Sequence, residues 1–232
     1  MKKFIVVALS VILVSTGLLT FFQPGSKDFA LKSLSEIRYN IFNGKTDAFG
    51  ATFMTGERED PYILDGVPRE LTEFGVITLL FKIPTDDFYG VPTYKLTIDD
   101  NYYEGEFEKN PFDTTYVADI KSKTSDNCQV YLLVEWNNLH ETTKLEPRNI
   151  EWEYDWKKAL ELATDNCEDI VDKLIIDGEL QAEVHVQIIT DPSGLTEQYF
   201  WYISIYGTDG SSVTIVIDPQ SGEVVSKRII EY

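Results

Sequence analysis

Glu183-Val184-His185-Val186-Gln187-Ile188-Ile189-Thr190 has a period of two: Val184, Val186 and Ile188 fall on one face, Glu183, His185 and Gln187 on the other. That is the pattern of a strand with one buried face. Three more strands follow at residues 198–206, 212–217 and 223–230. Asp191-Pro192-Ser193-Gly194, Gly207-Thr208-Asp209-Gly210 and Asp218-Pro219-Gln220-Ser221-Gly222 supply the turns between them. Ahead of the first strand, Trp156, Leu160, Ala163, Cys167, Ile170 and Leu174 recur every three or four residues, so residues 156–176 read as one amphipathic helix. Asp155 is placed to cap it and Asp177-Gly178 to stop it. A helix on a four-stranded antiparallel sheet buries that stripe against Val184, Val186, Ile188, Trp201, Ile203 and Ile205. Residues 149–232 are therefore expected to form a small α+β domain with Trp156 and Trp201 in its core. Ile150, Trp152 and Tyr154 alternate with acidic residues and suggest a short strand at its start.

Upstream, residues 27–148 read as strands with almost no helical period. The candidates are 33–42, 48–57, 73–83, 93–98, 102–108, 115–120 and 129–136, separated by turn chemistry such as Asn43-Gly44-Lys45, Asp65-Gly66, Asp99-Asp100-Asn101 and Ser125-Asp126-Asn127. About seven short strands at this spacing suggest an antiparallel β-sandwich. No Cys…Trp…Cys pattern makes it immunoglobulin-like. The polar stretch 141–148, with Pro147, reads as the boundary between the two domains. The expected fold class is thus all-β plus α+β: an N-terminal sandwich followed by one helix on a four-stranded antiparallel sheet.

The first 26 residues decide location. Lys2 and Lys3 precede an uncharged run from residue 4 to residue 22, and Gln23-Pro24-Gly25 ends it. A basic flank before an apolar run of that length marks a membrane-directed segment, with the body delivered outside the cell. Small residues Ser15-Thr16-Gly17 lie inside the run, and Gly25 follows Gln23 and Pro24, so neither makes a good cleavage site. The segment reads as an uncleaved anchor, with a cleaved signal peptide and secretion as the alternative. The membrane is expected to be met through residues 4–22 only.

The exported part is acidic throughout. Residues 27–148 carry 13 basic against 22 acidic side chains, and residues 149–232 carry 5 against 17. A surface of that sign repels phosphate backbones, which excludes nucleic acid as a partner. Two cysteines, Cys128 and Cys167, are too few for a disulfide framework. A bridge would staple the two halves together, whereas Cys167 on the helix stripe fits a small buried hydrophobe; both readings stand. With only His140 and His185 beside them, no metal-ligand spacing is formed.

The helix segment Ala159-Leu160-Glu161-Leu162-Ala163, the aromatic strand around Trp201, and residues 213–217 leading into Asp218-Pro219-Gln220-Ser221-Gly222-Glu223-Val224-Val225 resemble the PepSY-like domains of exported bacterial proteins. The resemblance covers about residues 156–230, and the Asp-x-x-x-Gly-Glu turn is its sharpest element. It implies regulation or inhibition of secreted peptidases, and it brings no catalytic residue with it. Residues 27–148 resemble only uncharacterised exported proteins of Gram-positive bacteria.

Catalysis by a nucleophile needs a base and an orienting group beside it. His140 falls in the polar boundary stretch and His185 on the outward side of its strand, so each reads as a solvated or sheet-face residue. Neither catalytic nor cofactor-binding nor metal-binding residues are assigned. Asp86-Asp87 and Asp99-Asp100-Asn101 supply oxygen ligands of the kind calcium takes, but hairpin turns demand the same residues. The aromatic cluster Tyr102, Tyr103, Phe107, Phe112 and Tyr116 fits core packing, or a platform for sugars or a protein partner. The expectation is a non-enzymatic extracytoplasmic binding or regulatory protein that acts on an exported protein or peptidase, without a cofactor. A carbohydrate- or cell-wall-binding sandwich module and a hydrolase using scattered carboxylates are the alternatives.

Overall fold

The structure is a computed structural model that describes residues 26–86, 88–122, 124–125, 128–190 and 198–231. The apolar leader lies outside the described residues, as do Asp87, the tip of the 125–127 turn and the turn at Asp191-Pro192-Ser193-Gly194. Among the described residues, no helix is long and apolar enough to cross a membrane.

Strands β1 (Leu34–Lys45), β2 (Phe49–Glu59) and β3 (Leu71–Phe81) follow a short helix α1 (Ser26–Lys32). Then come β4 (Thr93–Ile98), β5 (Asn101–Glu106), β6 (Glu108–Lys109), β7 (Tyr116–Ile120), β8 (Val130–Trp136) and β9 (Leu139–Pro147). Helices α2 (Trp156–Asp165) and α3 (Glu168–Leu174) lead through the small hairpin β10 (Ile175–Ile176) and β11 (Glu179–Leu180) into β12 (Ala182–Thr190), β13 (Tyr199–Gly207), β14 (Ser212–Ile217) and β15 (Val224–Ile230). All strands except the β10–β11 hairpin join one thirteen-stranded sheet.

This overturns the expected fold class. There is no free-standing sandwich and no separate helix-on-sheet domain; one mainly antiparallel sheet runs through the molecule and nearly closes into a barrel. Two features join what the sequence seemed to divide. The polar stretch 141–148 is mostly strand β9, pairing residue for residue with β8 from Val130↔Leu145 to Trp136↔Leu139. Only Thr143 and Leu145 of that strand point fully inward, so its polar face hid its alternation. Strand β1 then carries the continuity. One of its edges pairs with β2 along its length, while the other pairs first with β12 in parallel (Leu34↔Val184 to Ile37↔Val186) and then with β9 (Phe42↔Pro147, Asn43↔Glu146).

Between those two partners β1 crosses a gap. Asn149 fills part of it as a strand would: its side-chain oxygen accepts from the Ile41 N–H at 3.3 Å and its amide donates to the Tyr39 carbonyl at 2.7 Å. The Arg148 N–H adds a bond to the Ile41 carbonyl at 2.9 Å. An unpaired buried backbone group is costly, so one asparagine here keeps the fork intact.

Two apolar clusters lie on this sheet. Phe42, Phe49, Phe53, Leu79, Leu96 and Leu132 fill the barrel. The helices cover the other, in which Leu160, Ala163, Cys167 and Leu174 meet Val184, Val186, Trp201 and Ile203, together with Ala30, Leu34, Ile37 and Ile41 from the chain's start. The helical stripe is as expected, but the helix is broken: α2 ends at Asp165, Cys167 stands between the helices, and Asp177-Gly178 turns the β10–β11 hairpin. Asp155 caps α2 by accepting from the Lys158 N–H at 2.9 Å. Residues 150–154 form turns rather than a strand. Trp201 is buried and donates its indole N–H to the Tyr154 carbonyl at 2.7 Å, whereas Trp156 is only half-buried. The Asp218…Gly222 turn packs on the Tyr154 ring, where a side chain at Gly222 would have no room. Cys128 and Cys167 are not bridged to each other and are buried in different clusters.

Candidate functional site

Where β1 and β12 run together, their outward face is covered. Glu36, Glu183 and His185 are 2%, 0% and 1% exposed. The Glu183 carboxylate accepts three backbone N–H bonds through one oxygen, from Asp65 (2.8 Å), Gly66 (2.6 Å) and Val67 (3.1 Å), which pins the loop after β2 across the strands. Its other oxygen lies 3.2 Å from Nε2 of His185. His185 Nδ1 stands 3.4 Å from the Tyr62 hydroxyl and 3.8 Å from Glu36, with the Tyr62 and Tyr206 rings edge-on to the imidazole. Glu36 also takes the Arg38 guanidinium at 2.6 Å and the Gln187 amide at 2.5 Å. Burial pushes the Glu36 carboxyl up, but His185, Arg38 and Gln187 outweigh it and hold it at about 2. Burial and the Glu36 charge push the Tyr62 phenol up to about 12. The far end of the loop is tied by Arg69, whose backbone N–H donates to buried Glu59 at 2.6 Å.

His185 therefore does lie on the outward side of its strand, but it is not solvated. It is held in a closed polar latch and is only 1% exposed. His140 is exposed and pairs across β8 and β9 with Glu135 at 2.7 Å.

Where β1 and β12 part, the opposite situation holds. The fork leaves an apolar wedge of about 370 Å³ lined by Ile41, Met54, Ile188 and Ile189. It shares Thr52, Thr190 and Tyr199 with a second groove of about 490 Å³ that runs over Gly50, Thr78 and Leu80 to Lys45, Lys82 and Arg148. Cavities of this size are in the range that takes ligands. Three cations converge there in a chain with 39 acidic side chains against 20 basic, and no acidic side chain among the described residues lines the groove. Lys82 donates to the Thr46 carbonyl at 2.7 Å. Among the described residues, the Lys45 and Arg148 side chains have no hydrogen-bonding or ionic partner. Asn43 donates to the Tyr199 hydroxyl, while its own side-chain oxygen is buried with no hydrogen-bond partner among the described residues.

The other sequence-level candidates are dispersed. Phe107 is buried, and Tyr103 and Tyr116 pack against the barrel core. Tyr102 (67% exposed) and Phe112 (94% exposed) point outward, with Lys95 4.8 Å above the Tyr102 ring. Asp99 adopts φ 49° and accepts from the Gln129 N–H at 2.9 Å, as a turn residue does. Asp86 is described and Asp87 is not. Among the described residues, no three His, Cys, Asp or Glu side chains are grouped as metal ligands would be. Neither latch nor groove was read from the sequence. Glu183-Val184-His185 held a signal for the latch, since two titratable residues share the outward face of a valine-rich strand. Lys45, Lys82 and Arg148 carry no local signal, because only the fork brings them together.

Comparison with protein-family models, with curated proteins and with solved structures gives no significant match for this chain.

Proposed function

We propose that this chain is a non-enzymatic extracytoplasmic binding or regulatory protein, tethered through residues 4–22 with its body outside, that acts on another exported protein. The observation that carries this reading is the groove at the fork, where Lys45, Lys82 and Arg148 converge without a carboxylate among the described lining residues, in a strongly acidic molecule. Like charges gathered without compensation cost stability unless a partner supplies the opposite sign. The histidine with the most polar neighbours is sealed in the latch, so His185 has no route to a substrate. The PepSY-like resemblance of residues 156–230 adds exported peptidases as the class of partner to examine first.

A sugar- or cell-wall-binding role draws support from the exposed rings of Tyr102 and Phe112. Glycan platforms use rings that lie together, however, and neither ring stacks on another among the described ring contacts. The protein-partner reading is therefore preferred. Crosslinking in the native cell with a photoreactive residue at position 78, followed by mass spectrometry, tests it. The expected product is an adduct to an exported protein that is lost when the crosslinker is moved to exposed Glu135 on β8. Glycan adducts only, or none, overturn the reading. Protease treatment of intact cells should remove the body; protection of the body would refute the outward orientation.

A further inference from the structure

We propose that the groove takes an extended acidic segment of the partner polypeptide, added as a short strand along the free side of β12. This rests on the binding reading above and specifies its ligand. Beyond Val186, the side of β12 that faced β1 has no strand partner among the described strands, from Gln187 to Thr190. Four residues span about 13 Å, enough for a strand to form main-chain hydrogen bonds and to place alternate side chains on opposite sides. One side meets the wedge of Ile41, Met54 and Ile188, which suits an apolar side chain. The continuation of the groove leads to Lys45, Lys82 and Arg148, which suit carboxylates.

The free side of β12 separates a peptide from other amphipathic anions, because a strand edge offers carbonyl acceptors as well as N–H donors. A fatty-acid carboxylate or a phosphate at neutral pH supplies acceptors, whereas a peptide brings one N–H per residue.

The test uses the full chain in zwitterionic nanodiscs and isothermal titration with three blocked heptapeptides. These are Ser-Glu-Val-Glu-Val-Glu-Ser, its counterpart with lysine for every glutamate, and the acidic peptide N-methylated at both valines. The acidic peptide is expected to bind at least tenfold more tightly than the lysine and the N-methylated versions, and to weaken as salt is raised. The double variant Lys45→Glu with Arg148→Glu should lose at least tenfold for the acidic peptide and gain affinity for the lysine one. Both positions are exposed, so folding is not at stake. Equal binding of acidic and lysine peptides, indifference to N-methylation, or no binding of any peptide overturns the proposal. The crosslinker at position 78 tells this failure from failure of the wider reading. An exported-protein adduct without peptide binding leaves the binding function standing and removes only the acidic strand; loss of both removes both.

Discussion

Strands β1 and β12 make two opposite environments within a few residues of each other. Where they are zipped, from Leu34 to Ile37, four charged or titratable groups (Glu36, Arg38, Glu183, His185) are packed under a loop and paired with one another. Where they part, three cations face an open groove without a carboxylate among the groove's described lining. Burial explains the difference. A charge removed from water must find partners within the protein, or it shifts its ionisation or destabilises the fold. A charge left in water is under no such constraint, and the Lys45 and Arg148 side chains stand without a partner among the described residues. The closed half of the fork reads as structure and the open half as function.

The largest effect should come from cutting the molecule at this junction. Residues 149–232 expressed alone would lack Ala30, Leu34, Ile37 and Ile41, four members of the helix-side core, and the whole of β1 beside β12. The expected outcome is a fragment without a cooperative unfolding transition in calorimetry or circular dichroism. A sharp transition would show that the helices and β12–β15 suffice, and that the zipped half is a docking surface between two autonomous units.

Next in size is Glu183→Ala. It strips three backbone N–H groups and His185 of their shared acceptor inside a closed site. Removing one member of a buried charged network costs about 3–5 kcal/mol. Urea denaturation should therefore show a loss of that order, while Glu146→Ala, in an exposed pair with Lys144, should stay within about 0.5 kcal/mol. Equal effects at the two sites would erase the distinction drawn between latch and surface.

Acid should open the latch before it touches the groove. Glu36 sits at about 2 in the fold against an ordinary value of 4.5. Protons therefore bind the unfolded chain first, so the Glu36 contribution is complete above about 4.5 and is lost as pH falls towards 2. A shift of this size corresponds to about 3 kcal/mol. Denaturation of the native chain and of Glu36→Gln at pH 7, 4, 3 and 2 should show the two converging as pH falls. A constant gap between them would mean that Glu36 is not held down by its neighbours.

Much of the architecture is legible in the sequence because it is local. The strand alternations, the Asp155 cap and the stripe from Leu160 to Leu174 each depend on residues a few positions apart. What escapes is non-local. Strand β9 presents His140, Thr142, Lys144 and Glu146 outward and has Glu141 on its inner side, so its pairing with β8 and β1 is invisible until both partners are known. The outward position of His185 follows from its alternation, yet its burial depends on backbone amides at Asp65, Gly66 and Val67, more than a hundred residues away. Backbone donors have no residue identity, which leaves such a lid without a sequence signature. Trp156 and Trp201 make the same point within one core: both lie on apolar faces, but only Trp201 is sealed, because Tyr154 and Trp152 close over it.

The smallest effect on stability is also the most informative about function. Lys45→Gln and Arg148→Gln remove charges that the described fold does not use, since neither side chain has a hydrogen-bonding or ionic partner among the described residues. Exposed substitutions of that kind usually change stability by no more than about 0.5 kcal/mol. Losing one cation relieves its repulsion with the other two but adds to the net negative charge of the chain, so the two effects oppose, and any small change should shrink as salt is added. Both variants should then unfold at nearly the native urea midpoint while the crosslink from position 78 weakens or disappears. If instead they lose stability on the scale of Glu183→Ala, the two cations are structural after all, and the open half of the fork is no more than the unfinished edge of the closed one.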